Sequence, residues 1–142
     1  MLPFIDLQAQ NRALGDRLET AIARVVEHGR YILGPEVGQL ECKLAGWCGA
    51  DDVVACANGT DALELSLMAL DLRPGQGVLV PTFTFAATAE AVVLRGGVPV
   101  FADVSSRSFN LEAEHARAAV ETARVEGVDL VGMIPVDLFG LP

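Results

Sequence analysis

The residues best placed to do chemistry are Cys56 to Leu63, CANGTDAL. The apolar run before them, Val53 to Ala57, reads as a buried strand; Asn58-Gly59-Thr60 reads as a tight turn; Ala62 to Leu70 reads as a helix. A strand, a small-residue turn and a helix start together form an anion site. The first helical N–H groups have no intrahelical acceptor, and the helix dipole adds partial positive charge. Phosphate is the usual guest. An ordinary βα turn uses the same residues: Gly59 for its backbone freedom, Thr60 or Asp61 as a cap. An Asp61 carboxylate facing the site would repel a phosphate.

One βα unit later, Pro81-Thr82-Phe83-Thr84-Phe85-Ala86-Ala87-Thr88 places aromatics at the end of the next strand. A flat ligand with a phosphate tail would satisfy both segments, with its ring against Phe83 or Phe85. Such stacking contributes roughly 1 kcal/mol beyond buried area. Phe83 reads better as a core residue. No GxGxxG follows the first strand and no GxxxxGK[ST] occurs, which makes a dinucleotide-dependent dehydrogenase or a P-loop NTPase a minor alternative. No metal-ligand spacing stands out. His28 and His115 read as surface residues, and Cys42, Cys48 and Cys56 as buried or half-buried thiols without a CxxC pair.

These residues need a frame. Strand candidates are Val53–Ala57, Gly77–Pro81, Val98–Asp103 and Val128–Val136. Helix candidates at 60–72, 84–95 and 111–125 alternate with them, Asn110 being the expected N-cap of the last. Continuously apolar strands alternating with helices mean an α/β fold whose parallel sheet is covered on both faces. Ligands in such sheets lie beyond the carboxyl ends of the strands, here CANGT, PTFTF, ADVSS and PVDLFG. Before this rhythm, residues 8–28 show helical spacing. The loop Gly29–Gly34 then leads to a helix opened by Pro35, with Val37, Leu40, Leu44 and Trp47 on its inner face. The chain divides into an N-terminal helical segment, 1–50, and the first βα units of a larger domain, 51–142.

At 142 residues and 51% hydrophobic, with a mean hydropathy of +0.39, the chain is apolar for its size. A small domain must leave much of its surface in water. The excess points to a piece of a larger core or to an oligomer. A net charge of −9 argues against nucleic acid and against an anionic membrane surface. Val78 to Leu94, the longest apolar region, is interrupted by Pro81, threonines and Glu90 and is not a membrane span. Unpaired cysteines and no signal peptide at the start suggest the cytoplasm.

Six stretches, PFIDLQAQ (3–10), HGRYILGPEV (28–37), CANGTDAL (56–63), PTFTFAATAEAV (81–92), PVFADV (99–104) and IPVDLFGLP (134–142), run in the order found in DegT/StrS-type sugar aminotransferases. The chain resembles the N-terminal part of these pyridoxal-phosphate enzymes. The resemblance implies the large cofactor-binding domain of the type I aminotransferase fold, with an incomplete, mainly parallel sheet. It implies Gly59 and Thr60 as donors to the cofactor phosphate and Phe85 as the aromatic stacked on the pyridine ring. Tyr31 resembles the residue lent to the partner subunit's site in a homodimer, and Thr84 and Thr88 line the pocket. Asp137 lies near the sugar site without an assigned role. The substrates implied are a nucleotide-linked keto-sugar and an amino donor, glutamate being expected. PFIDLQAQ and HGRYILGPEV resemble most the branch acting on 2-acetamido-3-keto-hexuronic acid sugars. The family's Schiff-base lysine and the acidic partner of the pyridine nitrogen fall outside the matched stretches. Lys43, the one lysine, belongs to a solvated helix face. The chain alone is therefore expected to be inactive and to bind pyridoxal phosphate weakly or not at all, the alternative being a non-catalytic remnant or a dimerising or binding module.

Overall fold

The computed structural model describes residues 5–140. Pro3 and Phe4 of the first motif, and Leu141 and Pro142 of the last, lie outside the described residues. The chain forms two compact units, Met1–Ala55 and Cys56–Pro142.

The first unit is helical. Helix α1, Leu7–Leu14, starts where Asp6 Oδ1 accepts the Ala9 N–H at 2.8 Å. Gly15, at φ 55° and ψ −145°, separates it from α2, Asp16–His28. The helix expected over 8–28 is thus two helices, because glycine enters a backbone region closed to other residues at little cost. Gly29 ends α2 in the left-handed region at φ 66°, and Pro35 opens α3, Pro35–Cys48. No described residue of α1, α2 or α3 is buried. Leu40, Leu44 and Trp47, expected to face inward, are exposed. Three amphipathic helices without a sheet beneath them have nothing in this unit to bury that face against. For the same reason Cys42 and Cys48, expected to be buried or half-buried, are exposed; so is Cys56, at the start of the second unit.

The second unit carries the sheet. Its elements are α4 (Gly59–Ala69), β1 (Gly77–Pro81), α5 (Ala87–Leu94), β2 (Val98–Ala102), α6 (Ala113–Glu126) and β3 (Leu130–Met133). The sheet is parallel, in the order β2-β1-β3, with Leu79 opposite Val100 on one side and Met133 on the other. Central strand β1 is buried along its whole length. Its side chains alternate between faces. Val78 and Val80 pack with Leu67 of α4 and with Ala91 and Val92 of α5. Leu79 packs with Ala102 and with Ala119 of α6. The α/β reading is therefore correct, with helices on both faces of the sheet.

The strand expected over Val53–Ala57 does not form. A strand exists only with a ladder partner, and no strand of this sheet pairs with that segment. The Ala55 N–H donates to Glu41 Oε1 at 2.8 Å instead. The helix expected from residue 84 starts at Ala87, because Thr82 to Ala86 first turn the chain away from β1. Beside β3, Leu79, Ala116, Val120, Leu130 and Met133 line an open apolar groove. Among the described residues no helix is long and apolar enough to cross a membrane.

Candidate cofactor site

Asn58 organises the start of α4. Its side-chain Oδ1 accepts the Asp61 N–H at 2.9 Å, and its carbonyl accepts the Ala62 N–H at 3.1 Å. The N–H groups of Gly59 and Thr60, the first two helical positions, have no intrahelical acceptor. A Cβ built on Gly59 meets nothing within 4 Å, and both residues border an open pocket. Asp61 does not line the pocket that Gly59 and Thr60 border. It lines a separate small cavity with Cys56, Glu64, Leu65 and Met68.

A pocket of about 460 Å³ gathers Gly59, Thr60, Leu63, Thr84, Phe85 and Thr88 against a wall from Val136 to Phe139. Three of the four strand-end segments picked from sequence meet here, CANGT, PTFTF and PVDLFG; ADVSS does not line the pocket. Phe85 is 79% exposed, leaving its ring free to cover a flat ligand. Thr88 is 5% exposed, and its hydroxyl lies 2.9 Å from that of Thr84. This bond fixes Thr84 at the lip of the pocket. Asp137 adds a carboxylate to the wall.

Five of the six residues singled out from sequence thus share one pocket. Tyr31 lies in the other unit, 70% exposed. Phe83, expected in the core, is 49% exposed and tilts against Phe109 with ring centroids 5.5 Å apart. It sits where the chain has left the sheet, so only one face of the ring is covered. His115, expected at the surface, is half-buried, and its Nδ1 is enclosed without a hydrogen-bond partner. His28, also expected there, is half-buried against Glu36.

Sequence reasoning missed the use of Asn110. It does not cap α6, whose N-cap position is Glu112. Asn110 Oδ1 instead accepts the Leu138 N–H at 3.0 Å, tying the loop after β2 to the pocket wall across 28 residues. An asparagine before a helix signals a cap from local pattern alone; a partner so far along the chain leaves no such mark. Replacing Asn110 with Ala is expected to cost about 1 kcal/mol of stability, the typical net value of one such bond. Hydrogen exchange at the Leu138 amide should accelerate in parallel; an unchanged rate there counts against this role.

Glu112, Glu114 and His115 bring possible ligand atoms within 4.8 Å of one another. They sit at the positive end of α6, which disfavours a cation.

The parallel sheet with flanking helices is that of the type I aminotransferase fold, and the pocket lies at its carboxyl edge. The crystal structure of a DegT/DnrJ/EryC1/StrS aminotransferase from Brucella abortus superposes with a TM-score of 0.93 and 51% identity, covering 100% of this chain and 38% of that one. Residues 13–142 match the DegT/DnrJ/EryC1/StrS aminotransferase family, and the chain belongs to it. The UDP-2-acetamido-2-deoxy-3-oxo-D-glucuronate aminotransferase of Pseudomonas aeruginosa is 46% identical over 140 residues, which are 99% of this chain and 37% of that protein. The pyridoxal-phosphate form of a sugar aminotransferase from Streptococcus pneumoniae matches at 29% identity and a TM-score of 0.76, over 87% of this chain and 31% of that one. The chain thus spans between 31% and 38% of the length of these relatives.

Proposed function

We propose that this chain is the N-terminal, cofactor-holding part of a pyridoxal-phosphate-dependent aminotransferase acting on a nucleotide-linked keto-sugar. The observation that carries the reading is the single pocket joining the α4 start to Phe85. The residues present fit the cofactor: paired N–H donors bordering an open pocket suit a phosphate, and an exposed phenyl ring suits a pyridine. Gly59 and Thr60 anchor the phosphate through backbone N–H groups. Phe85 covers one ring face and excludes water from it, and Thr84, held by Thr88, lines the approach. Bound pyridoxal phosphate supplies the electron sink through which an amino group passes from a donor, glutamate in this proposal, to the sugar ketone.

Similarity to the Pseudomonas aeruginosa enzyme favours a 2-acetamido-3-keto-hexuronic acid as the sugar. Tyr31, on the exposed Gly29–Gly34 loop of the first unit, is assigned to the site of a second copy in a homodimer. The unburied helical faces of that unit support such an assembly. Exposed free thiols fit a reducing cytoplasm.

No lysine lines the pocket, and Lys43 is exposed on α3. This favours covalent attachment through a residue beyond the matched stretches. It also keeps a non-catalytic binding module as the second reading for the chain alone. Borohydride reduction with pyridoxal phosphate, followed by peptide mapping, tests both points. Lys43 is expected to remain unmodified, and the chain alone is expected to transfer no amino group. Stoichiometric pyridoxyl label on Lys43 overturns the assignment.

A further inference from the structure

Among the described residues of the first unit, Gly34 is the one buried position, and a polar hub surrounds it. His28, the last residue of α2, places Nε2 3.2 Å from both carboxylate oxygens of Glu36 in the first turn of α3. The other ring nitrogen, Nδ1, accepts the Arg30 N–H at 3.0 Å. Arg24 Nε lies 3.6 Å from Glu36 Oε1. A Cβ on Gly34 would sit 2.4 Å from the Arg30 carbonyl oxygen and 3.3 Å from Glu36 Oε2. The loop therefore closes on its own backbone and on that carboxylate. Leu33 is held at φ 47°, a left-handed conformation that side chains rarely adopt unless their surroundings enforce it. The apolar side chains of the loop face outward: Tyr31, Ile32 and Leu33 are 70%, 89% and 78% exposed.

The chemistry of the hub fixes the state of the ring. Nδ1 accepts an N–H, so it carries a lone pair and the ring proton resides on Nε2. That proton donates to Glu36. A second ring proton would sit on Nδ1 and face the Arg30 N–H, donor against donor.

We propose that His28, as its neutral Nε2–H tautomer, is the positioning residue of the Gly29–Gly34 loop, joining Glu36 to the Arg30 amide so that Tyr31 is presented in one fixed orientation. The use of Tyr31 at a second copy's site rests on the function proposed above; the hub itself does not.

The two hydrogen bonds of the ring can be separated by substitution. Asparagine places a carbonyl oxygen where Nδ1 lies and keeps the acceptor for Arg30. Glutamine places an amide N–H where Nε2 lies and keeps only the donor to Glu36. Hydrogen exchange at the Arg30 amide is expected to accelerate about fivefold in H28A and H28Q, the equivalent of one net hydrogen bond, and to stay near wild type in H28N. Nitrogen NMR of the wild-type imidazole should show an unprotonated Nδ1 and a protonated Nε2, a readout independent of whether any variant folds. In steady-state kinetics of an aminotransferase that carries this chain as its N-terminal part, H28A and Y31A should raise KM for the keto-sugar to similar extents, with kcat changing less, and H28N should restore it. Unchanged Arg30 exchange in H28A, failure of H28N to rescue, or the opposite tautomer overturns the proposal. Faster exchange in H28A together with an unchanged KM in Y31A supports the hub and removes Tyr31 from the active site.

Discussion

Replacing Gly59 with Asp is expected to weaken pyridoxal-phosphate binding on the order of a hundredfold while leaving thermal stability unchanged or slightly raised. The two effects separate because they depend on different neighbours. A Cβ at Gly59 meets nothing within 4 Å, so the new side chain fits without moving protein atoms. As the first residue of α4, an aspartate faces the positive end of the helix dipole, which favours it. Gly59 and Thr60 line the same pocket, so the added carboxylate is expected beside their N–H donors. Two unit charges about 4 Å apart repel by about 4 kcal/mol at an effective dielectric of 20. The pocket is open to water, and allowing roughly half of that for screening leaves about 2 kcal/mol per phosphate charge, about one and a half powers of ten for a single charge and more for a dianion. Calorimetric titration with pyridoxal phosphate, with inorganic phosphate as competitor, checks this. Gly59→Ala, which adds bulk without charge, should fall between wild type and the aspartate variant. If G59D binds within a few-fold of wild type, the phosphate does not sit at the start of α4.

That test concerns the part of the site most legible in the sequence. Asn58, Gly59 and Thr60 announce a cap and a free helix start because both are local: the residues that make them are neighbours in the chain. Strand β1 was equally legible, since its continuous apolar run reports burial on both faces. The run at Val53–Ala57 looks the same but forms no strand, because pairing depends on a partner that a run of apolar residues does not specify. Trp47, Leu40 and the cysteines were misplaced for a related reason. Apolar spacing says that a face is to be covered, and it does not say by what. Asn110 shows the same boundary within the site. Its type suits a cap, and only the fold brings the Leu138 amide to it. Composition did carry a larger message, since an unusually apolar chain leaves many large hydrophobic side chains exposed.

Leu79→Ala is expected to cost about 3 kcal/mol, within the range of about 2–5 kcal/mol for emptying a well-packed leucine site. Leu79 is 1% exposed at the middle of β1. It is the large side chain in a cluster whose other buried members, Ala102 and Ala119, are small. Alanines on a strand and a helix have little freedom to move into the space, so a cavity persists and its surface adds to the lost transfer energy. The consequence extends to the pocket. The Ile134 N–H donates to the Leu79 carbonyl at 2.9 Å, just before the chain reaches the Val136–Phe139 wall. Loosening β1 therefore reaches the site through the backbone as well as the core. Urea unfolding should show a lower midpoint with an unchanged slope, the mark of lost stability rather than an altered unfolded state. Arg73→Ala provides the contrast. Its ion pair with Asp71 is short, 2.9 Å, but the side chains are 73% and 79% exposed, so less than about 1 kcal/mol is expected. If the two variants lose similar stability, the α4–α5 face of the sheet, with Val78, Val80 and Val92, carries the fold and the α6 face does not.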